Sequence, residues 1–377
     1  MEERGHLQTS GGPVGKGPWQ TLPGRDYHAP EIYDLDRERV FARSWHCVGR
    51  SEAFVAPGDY ATPEIAGESV VVIRDQHRRL RAFANTCRHR GTQLLQGRAR
   101  VTAIKCPYHA WTYGIDGRLR ATPNLRPEDG IDRDSIGLLE IALEEWDGFV
   151  FVNLDGNARP LAERLAGEPD SPLQLERYRV GELRVGARRE YDVAANWKIV
   201  VENYHECLHC PTVHPELVRI VPLYRRGEVE EEGQVLGNSM GEGLTSFTMT
   251  GTSSLPPLPG LSDLDVHTFY GVYMFPNLIL NYHSETVNAV TIHPIGPERS
   301  LVMSEFLFAT ETVDVPDFDP SEVVEFRDLV AKQDWVVCEL AQQGVRSRFY
   351  DHGIYPRQER WIAAFNERYL AERGPAP

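Results

Sequence analysis

The sequence predicts an α+β protein with two domains, a small all-β module followed by an antiparallel sheet with helices. Short β-rich runs separated by Gly, Asn and Asp turns fill residues 48–155. A strand near 183–195 and a helix beginning near Asn196 open the second domain, more strands follow over 269–308, and helical sequence occupies 321–343. A chain of 377 residues also exceeds a typical domain of roughly 100 to 200 residues.

Changes in composition set the expected domain boundaries. Residues 1–40 are predicted to form a flexible Gly- and Pro-rich arm and an N-terminal helix that packs on the second domain. The β module takes residues 41–155. The stretch 156–176 is polar and contains Pro160 and Pro172, which suits a connection between domains, so the second domain takes residues 156–377.

The charge and composition exclude several classes of partner. A net charge of −15 disfavours nucleic acid and anionic membrane, because both require a basic surface. The apolar runs are too short to span a bilayer, and the first residues do not resemble a signal peptide, so we expect a cytoplasmic protein. Six cysteines are few for a secreted disulfide scaffold, and in a cytosolic protein they indicate metal or catalytic sites.

Two short segments combine cysteine with histidine in the pattern C-x-H, sixteen residues, C-x-x-H, from Cys87 to His109. In a Rieske centre two cysteines hold one iron and two histidines hold the other. A structural zinc site accepts the same four side chains, and four unrelated core residues are a further alternative. Zinc fingers usually pair Cys with Cys and His with His, whereas each segment here supplies one of each, which favours the [2Fe–2S] cluster.

The residues around these ligands, N-T-C-R-H-R-G at 85–91 and C-P-Y-H-A-W at 106–111, resemble the Rieske domain of the Rieske non-haem iron oxygenases. The resemblance identifies the chain as an alpha, or terminal oxygenase, subunit and implies a helix-grip-like catalytic domain. It also implies that the two cysteines bind a buried iron and the two histidines an outer iron that passes electrons onward. The implied cluster ligands are Cys87, His89, Cys106 and His109.

A second candidate metal site lies downstream, where helical spacing would place Glu206 and His209 on one face. Pro211 is expected to break this helix and let His214 turn back toward His209. The same residues leave an alternative of another class open. His205, Glu206 and His209 match H-E-x-x-H, the helix on which zinc metalloproteases bind their metal.

The order N-W-K, E-N, an acid and H-x4-H resembles the mononuclear-iron motif of the same oxygenases. The resemblance implies that His209 and His214 bind a single Fe(II) and that Glu206 is a catalytic bridge. That bridge would join the cluster histidine of one subunit to the iron ligand of its neighbour. In this interpretation His205 is a bystander on the helix surface or a substrate contact.

An aspartate from the late helix should complete a two-His, one-carboxylate set. Asp334 shares a helix face with Val330 and Val337, whereas Asp328 lies beside Lys332. A carboxylate on an apolar stripe is costly unless something pairs with it, and a buried iron is such a partner. The residues around Asp334 also resemble the family's ligand helix, so we predict that Asp334 is the third ligand.

The resemblance implies an oxygenase that takes electrons from NAD(P)H through a separate reductase, with or without a ferredoxin, and uses O2 to hydroxylate or oxidatively demethylate a small substrate. We find no Gly-rich dinucleotide fingerprint in this chain, which agrees with a separate reductase. The resemblance further implies a homotrimer. An electron carrier that used the cluster alone remains an alternative, but it would have no need of the second metal site.

The arrangement over 206–211 resembles the branch that acts on quaternary ammonium compounds, namely glycine betaine, carnitine and proline betaine. Aromatic ring-hydroxylating dioxygenases are the alternative branch. Leu208 departs from the first branch, whose members often carry Tyr there. Six aromatic residues are candidates for a cage around a trimethylammonium group, although aromatics on strands more often belong to the sheet core. They are Tyr204, Phe247, Phe269, Tyr270, Tyr273 and Tyr282.

Overall fold

The computed structural model describes residues 17–123, 125–130, 132–167, 171–229 and 237–375. Residues 1–16, most of the predicted flexible arm, lie outside them. The chain divides into two compact units: one comprises the described residues up to Asp36 together with those from Ala162 onward, and the other is Arg37–Leu161.

Both units contain β-strands. They are β1 (Trp19–Gln20), β2 (His46–Arg50), β3 (Asp59–Ala61), β4 (Glu64–Ile65), β5 (Glu68–Arg74), β6 (Leu80–Ala84), β7 (Arg98–Arg100), β8 (Ile104–Lys105), β9 (Thr112–Tyr113), β10 (Leu119–Ala121), β11 (Glu140–Trp146), β12 (Phe149–Asn153), β13 (Arg184–Val193), β14 (Asn238–Ser239), β15 (Thr268–Met274), β16 (Leu278–Tyr282), β17 (Val287–Gly296), β18 (Arg299–Phe308) and β19 (Ile354–Tyr355). The helices are α1 (Pro30–Leu35), α2 (Leu161–Ala166), α3 (Trp197–Tyr204), α4 (Cys210–Val213), α5 (Leu217–Ile220), α6 (Asp263–Val266), α7 (Thr310–Val313), α8 (Ser321–Val345) and α9 (Arg360–Arg373).

The unit Arg37–Leu161 contains the residues of the predicted β module, 41–155. Its larger sheet has the order β2-β12-β11-β6-β5-β3-β7, with β4 paired to β5, and its smaller sheet has the order β10-β9-β8. The strand pairs are antiparallel, and Val70, Val72 and Val150 are fully buried between them. The two cysteine-bearing segments are the loop between β6 and β7 and the tight turn between β8 and β9. The sheets therefore fix the loops that carry the predicted cluster ligands.

The other unit contains a six-stranded antiparallel sheet of order β13-β18-β17-β16-β15-β14. The predicted strands over 269–308 are confirmed as β15 to β18, and the predicted late helix is confirmed as α8, which packs against β13 and α3. The α+β fold is thus as predicted. Among the described helices, α8 included, none is both long and apolar enough to cross a membrane.

The N-W-K residues that begin α3 have a structural role. The Asn196 side chain caps the helix by accepting from the backbone N–H of Lys198 at 2.9 Å. Trp197 is buried beside the rings of α9. Lys198 Nζ pairs with the fully buried carboxylate of Asp36 at 2.7 Å. Removing one partner of such a pair would leave an uncompensated buried charge, so this contact fixes the beginning of α3.

Only part of the predicted N-terminal helix is regular α-helix. Only α1 is regular α-helix, and the chain continues as a π turn over Asp36–Val40 and a 3-10 turn over Phe41–Arg43. Asp36 also accepts a hydrogen bond from the Tyr369 hydroxyl at 2.7 Å. The chain therefore changes from α to π geometry at the residue whose carboxylate contacts Lys198 and Tyr369.

Candidate metal centres

The two cysteine-bearing segments form matching loops, which we call the cluster loops (residues 87–91 and 106–110). In the first, the N–H of Gly91 donates to the carbonyl of Cys87 at 3.0 Å, and in the second the N–H of Ala110 donates to the carbonyl of Cys106 at 3.1 Å. Both closing residues have positive φ, +72° at Gly91 and +56° at Ala110. Such left-handed residues reverse the chain sharply, so each loop aims its Cys and its His at one region.

The sulfur and nitrogen ligands of the cluster loops lie at different depths. Cys87 and Cys106 are both 2% exposed and belong to the core of the β module, whereas His89 is exposed and His109 half-buried. The two imidazole rings lie 4.7 Å apart, centroid to centroid. The Tyr113 hydroxyl lies 3.4 Å from the Cys87 sulfur. The geometry matches a cluster with an inner cysteine-bound iron and an outer histidine-bound iron.

Two observations test whether these side chains fit a cluster. The Nδ1 atom of His109 is buried and has no hydrogen-bond partner among the described residues, as a free metal ligand would. Burial raises the pKa of the Cys106 thiol, but hydrogen bonds from the N–H groups of Tyr108 and His109, together with contacts to Cys87 and Thr92, lower it, and the net direction is downward. The loops therefore offer a stabilised thiolate and an unpaired imidazole nitrogen, which fit a [2Fe–2S] cluster.

The iron site, as we call His209, His214 and Asp334, brings together residues from the α4 region and α8. The Nε2 atoms of His209 and His214 lie 3.1 Å apart. Asp334 Oδ1 lies 2.8 Å from His214 Nε2 and 3.3 Å from His209 Nε2. Three ligand-type atoms thus converge on one point with both histidines facing the carboxylate. This donor set fits the two-His, one-carboxylate arrangement of non-haem Fe(II) oxygenases.

Each histidine of the iron site is held on its far side by another side chain. The Nδ1 atom of His209 contacts a Glu206 carboxylate oxygen. The Nδ1 atom of His214 contacts Gln333 Oε1 at 2.7 Å. Contacts of this kind fix the ring orientation and would leave Nε2 available to a metal. The sequence analysis missed Gln333, although its place beside Asp334 on α8 was a usable signal.

The local path between Glu206 and His214 differs from the one we expected. α3 already ends at Tyr204, so Glu206 and His209 do not meet through helical spacing. Pro211 lies in the first turn of the short helix α4 and begins that helix rather than breaking one. The backbone N–H of Leu208 donates to Glu206 and helps close the turn. The turn, not a helix face, therefore brings the carboxylate to His209.

The zinc-protease alternative fails on the same geometry. His205 lies beyond the last residue of α3, so the H-E-x-x-H residues do not form one helix. The Nδ1–H of His205 donates to the carbonyl of Val201 at 2.7 Å, and its ring packs on Tyr273 and Phe365. Burial lowers the pKa of His205 to about 4. His205 is therefore a neutral packing residue in the cavity wall, not a partner of His209.

The cysteines next to the iron site correct another expectation. Cys207 and Cys210 form a disulfide, so this pair is not a metal-binding or nucleophilic pair of thiols. The Sγ of Cys210 lies within 4.8 Å of the ligand nitrogens of His209 and His214. Because it is bonded to Cys207, it does not offer a thiolate to the metal. The disulfide instead ties together the turn that carries His209.

Asp328 has contacts that separate it from the iron site. Its Oδ2 accepts from Lys332 Nζ at 2.6 Å, and its Oδ1 accepts from the Tyr191 hydroxyl at 2.8 Å. Both carboxylate oxygens are therefore committed to partners outside the iron site. Of the two aspartates considered, only Asp334 lies against His209 and His214.

A cavity of about 250 Å³ opens beside the iron site within the same unit. Four of the six candidate cage residues line it, namely Tyr204, Phe247, Phe269 and Tyr273. The other two, Tyr270 and Tyr282, instead pack around Tyr178 in the sheet core. The cavity wall also contains Arg327, a residue that the sequence analysis did not single out.

An all-β module with a mixed Cys/His set, followed by a sheet-and-helix domain with a two-His, one-carboxylate set, is typical of an iron-dependent oxygenase. Comparison with known families agrees. Residues 44–143 match the Rieske [2Fe-2S] domain, and residues 180–372 match the ring hydroxylating alpha subunit (catalytic domain). The chain belongs to the Rieske non-haem iron oxygenases as an alpha subunit. Such a subunit is the oxygenase component that receives electrons from a reductase and acts on small molecules.

Individual relatives include the carnitine monooxygenase oxygenase subunit of Escherichia coli K12, 33% identical over 88% of this chain and 85% of that protein. The glycine betaine monooxygenase oxygenase subunit of Chromohalobacter salexigens is 30% identical over 89% and 82%. Among solved structures, a quaternary ammonium Rieske monooxygenase matches with a TM-score of 0.79 and 27% identity over 96% of this chain and 97% of that one. Naphthalene 1,2-dioxygenase from a Rhodococcus species shares the fold, with a TM-score of 0.73 and 20% identity over 95% and 96%.

Proposed function

We propose that this chain is the oxygenase subunit of a monooxygenase that hydroxylates or oxidatively demethylates a quaternary ammonium compound. The observation that carries the proposal is the convergence of His209, His214 and Asp334 at the wall of a cavity lined by aromatic rings. Aromatic faces attract quaternary ammonium groups. The relatives named for carnitine and glycine betaine support the same substrate class.

The proposal assigns the metal ligands residue by residue. Cys87, His89, Cys106 and His109 would hold the [2Fe–2S] cluster in a Rieske domain of residues 41–155. His209, His214 and Asp334 would hold one Fe(II) in a catalytic domain of residues 156–377, to which the N-terminal helix would belong. When bound, the cluster supplies electrons one at a time and the iron activates O2. A cytoplasmic location is part of the proposal, because NAD(P)H feeds the reductase there.

Metal analysis and turnover test this assignment together. Protein purified without oxygen should contain acid-labile sulfide and show the visible and EPR signals of a Rieske cluster. With a reductase, NADH and O2 consumption should rise with betaines and not with simple aromatics. Absence of the [2Fe–2S] signal would refute the oxygenase assignment, whereas turnover of arenes alone would move the chain to the dioxygenase branch.

Glu206 is proposed to connect the two metal centres across a subunit boundary. Its carboxylate contacts His209, and its side chain is only 11% exposed. Glu206→Ala should leave the cluster signal and the iron content unchanged but stop electrons from reaching the iron during turnover. Glu325→Ala, an exposed change on α8, is the matched control. Full turnover by Glu206→Ala would contradict the assignment.

The proposed homotrimer can be tested through mixed subunits. Cys106→Ser should remove the cluster and Asp334→Asn the iron, so each variant alone should be inactive. If electrons cross between neighbouring subunits, co-expression of the two variants should restore part of the turnover, because some cluster-bearing subunits then adjoin iron-bearing ones. A trimeric mass by analytical ultracentrifugation should accompany this result. No recovery in verified mixed trimers would place the electron path within one chain.

A further inference from the structure

One charged side chain in the cavity wall is not accounted for by the iron site. Arg327 on α8 has no hydrogen bond or ion pair with any residue that the structure describes, and faces the Phe247 ring at 5.8 Å. Among the described residues of the wall, the carboxylates are Glu206 and Asp334, and both are engaged with histidines. Within the described part of the chain, the guanidinium therefore keeps five N–H donors and a positive charge without an acceptor.

Such a side chain is unfavourable unless something pairs with it. Burial lowers the pKa of the Arg327 guanidinium, because desolvation disfavours its charged form. A ring face stabilises a cation but accepts no conventional hydrogen bond, so Phe247 does not replace a counter-ion. The planar fork of a guanidinium matches a carboxylate through two parallel hydrogen bonds. The empty partner position therefore suits a carboxylate carried by the ligand.

Other polar groups of the cavity wall also favour a ligand that carries hydrogen-bond acceptors. Asn281 Nδ2 and Trp335 Nε1 are buried donors without a partner among the described residues, and both side chains line the cavity. The amide oxygen of Asn281 is already used, since it accepts from the Tyr204 hydroxyl at 3.2 Å. One unpaired acceptor, Asn238 Oδ1, is also present. The balance is an excess of donors, which favours a ligand rich in acceptor oxygens.

The position of Arg327 along α8 relates it to the iron site. Arg327 and Asp334 are seven residues apart, two helical turns, and so lie on the same face of α8. With a rise of about 1.5 Å per residue, their backbones are separated by roughly 10 Å along the helix axis. A ligand paired with Arg327 would therefore extend along this face toward His209 and His214.

We infer that Arg327 binds a substrate carboxylate and determines specificity, so that the substrate is a zwitterion with its carboxylate on Arg327 and its quaternary ammonium end toward the iron site. This inference rests on the proposed function and narrows it. Repulsion between like charges keeps the ammonium end away from the guanidinium, which sets the orientation of the substrate. Carboxylated betaines fit this cavity, whereas choline and neutral arenes leave Arg327 unpaired.

Matched ligand pairs test the inference in the wild-type holoenzyme. Glycine betaine and choline share a trimethylammonium group and differ at the carboxylate, as do γ-butyrobetaine and its methyl ester. Calorimetric titration without oxygen should give tighter binding of the carboxylated member of each pair. Equal affinities within both pairs would overturn the inference, and so would tighter binding of an arene such as naphthalene. This comparison requires no variant.

Substitution of Arg327 provides the second test. Arg327→Gln should weaken binding of the carboxylated ligands by roughly 30-fold or more, while leaving choline and the ester unaffected or bound more tightly. Arg327→Lys should keep part of the preference for carboxylated ligands, because lysine retains the positive charge but not the planar set of N–H donors of the guanidinium. Lys332→Gln is the matched control, since it removes a positive charge from the exposed side of the same helix. Unchanged affinities in Arg327→Gln would overturn the inference.

The same samples separate this inference from the proposed function. Cluster EPR and iron content report whether the chain is a Rieske oxygenase, and they do not depend on Arg327. Absence of these signals from the wild-type protein would refute the proposed oxygenase function. Intact signals without a carboxylate preference would refute only the role of Arg327.

Discussion

The cluster loops and the iron site both bring candidate metal ligands together, but the ligands of the two sites are separated by very different distances along the chain. The candidate cluster ligands fall within 23 positions, on neighbouring loops of one β module. The iron site joins His209 and His214 to Asp334, 120 residues after His214. Spacing along the sequence is therefore informative for the first site, whereas the second exists only because α8 packs against the region of α3.

The two sites also differ in how their ligand atoms are held. His109 Nδ1 is buried without a hydrogen-bond partner in the described part of the chain, and its loop is shaped by backbone hydrogen bonds. In the iron site, Glu206 and Gln333 each hold one histidine from behind. The orientation of the cluster ligands thus depends mainly on the backbone, and that of the iron ligands on other side chains. This difference predicts which substitutions damage each site.

The largest expected effect is the loss of the cluster alone. Cys106→Ser should remove the acid-labile sulfide and the cluster EPR signal and abolish reductase-driven O2 consumption, because a serine hydroxyl does not replace a thiolate ligand. The mononuclear iron should remain, since its ligands belong to the other compact unit. Cys47→Ser is the control, as Cys47 is a buried cysteine of the same β module that lies outside the cluster loops. Loss of both metals in Cys106→Ser would show that the two sites are not independent.

Asp334→Asn should produce the reverse pattern. The neutral amide is a weaker ligand, so metal analysis should show loss of the mononuclear iron while the cluster EPR signal persists, and turnover should cease. Asp328→Asn makes the same change on the same helix at a carboxylate paired with the exposed Lys332. That control should keep its iron and lose no more than about 1 kcal/mol of stability. If Asp328→Asn lost its iron and Asp334→Asn kept it, Asp328 would be the third ligand instead of Asp334.

A smaller effect is expected at Gln333, where only the support of a ligand is removed. Gln333→Ala should weaken iron binding by roughly 10- to 100-fold, because His214 then loses the group that fixes its ring. Iron release to a competing chelator measures this change, with the exposed Gln343→Ala as control. Equal release rates in the two variants would mean that the backbone alone orients His214, as in the cluster loops.

The smallest effect is expected at Glu202, a partly buried carboxylate in the same compact unit as the iron site. Glu202 accepts from the Tyr27 hydroxyl at 2.9 Å, and burial raises its pKa to about 7. The folded protein therefore favours protonated Glu202, and this contribution to stability is lost as the pH rises from the ordinary glutamate pKa through about 7. Glu202→Gln should thus gain stability over wild type only with rising pH, up to about 3 kcal/mol.

Melting temperatures at about pH 5 and about pH 8 test the Glu202 prediction, since the two pH values lie on either side of its raised pKa. The exposed Glu367→Gln should show no such change in the difference from wild type. A gain at low pH that disappears at high pH would show that the folded protein favours the charged form of Glu202.

Several features could be predicted from the sequence because their causes are local. Alternation of apolar residues with turns predicted the β module, and helical periodicity placed Asp334 and Asp328 on different faces of α8. The mixed Cys/His pattern predicted two ligand-bearing loops, since a tight loop can aim only the residues that it contains. The assignment of individual metal ligands stays a prediction, which the substitutions above address.

Other features were decided only by the tertiary structure. Helical spacing wrongly continued α3 through Glu206, because the end of the helix depends on the turn that Cys207 and Cys210 tie together. Gln333 and Arg327 look alike in sequence as polar residues of one long helix, yet Gln333 holds His214, whereas Arg327 faces the cavity without a partner among the described residues. Sequence periodicity determines which face of α8 a residue occupies. Only the packing of elements distant in the chain determines which partner, or which empty position, that face meets.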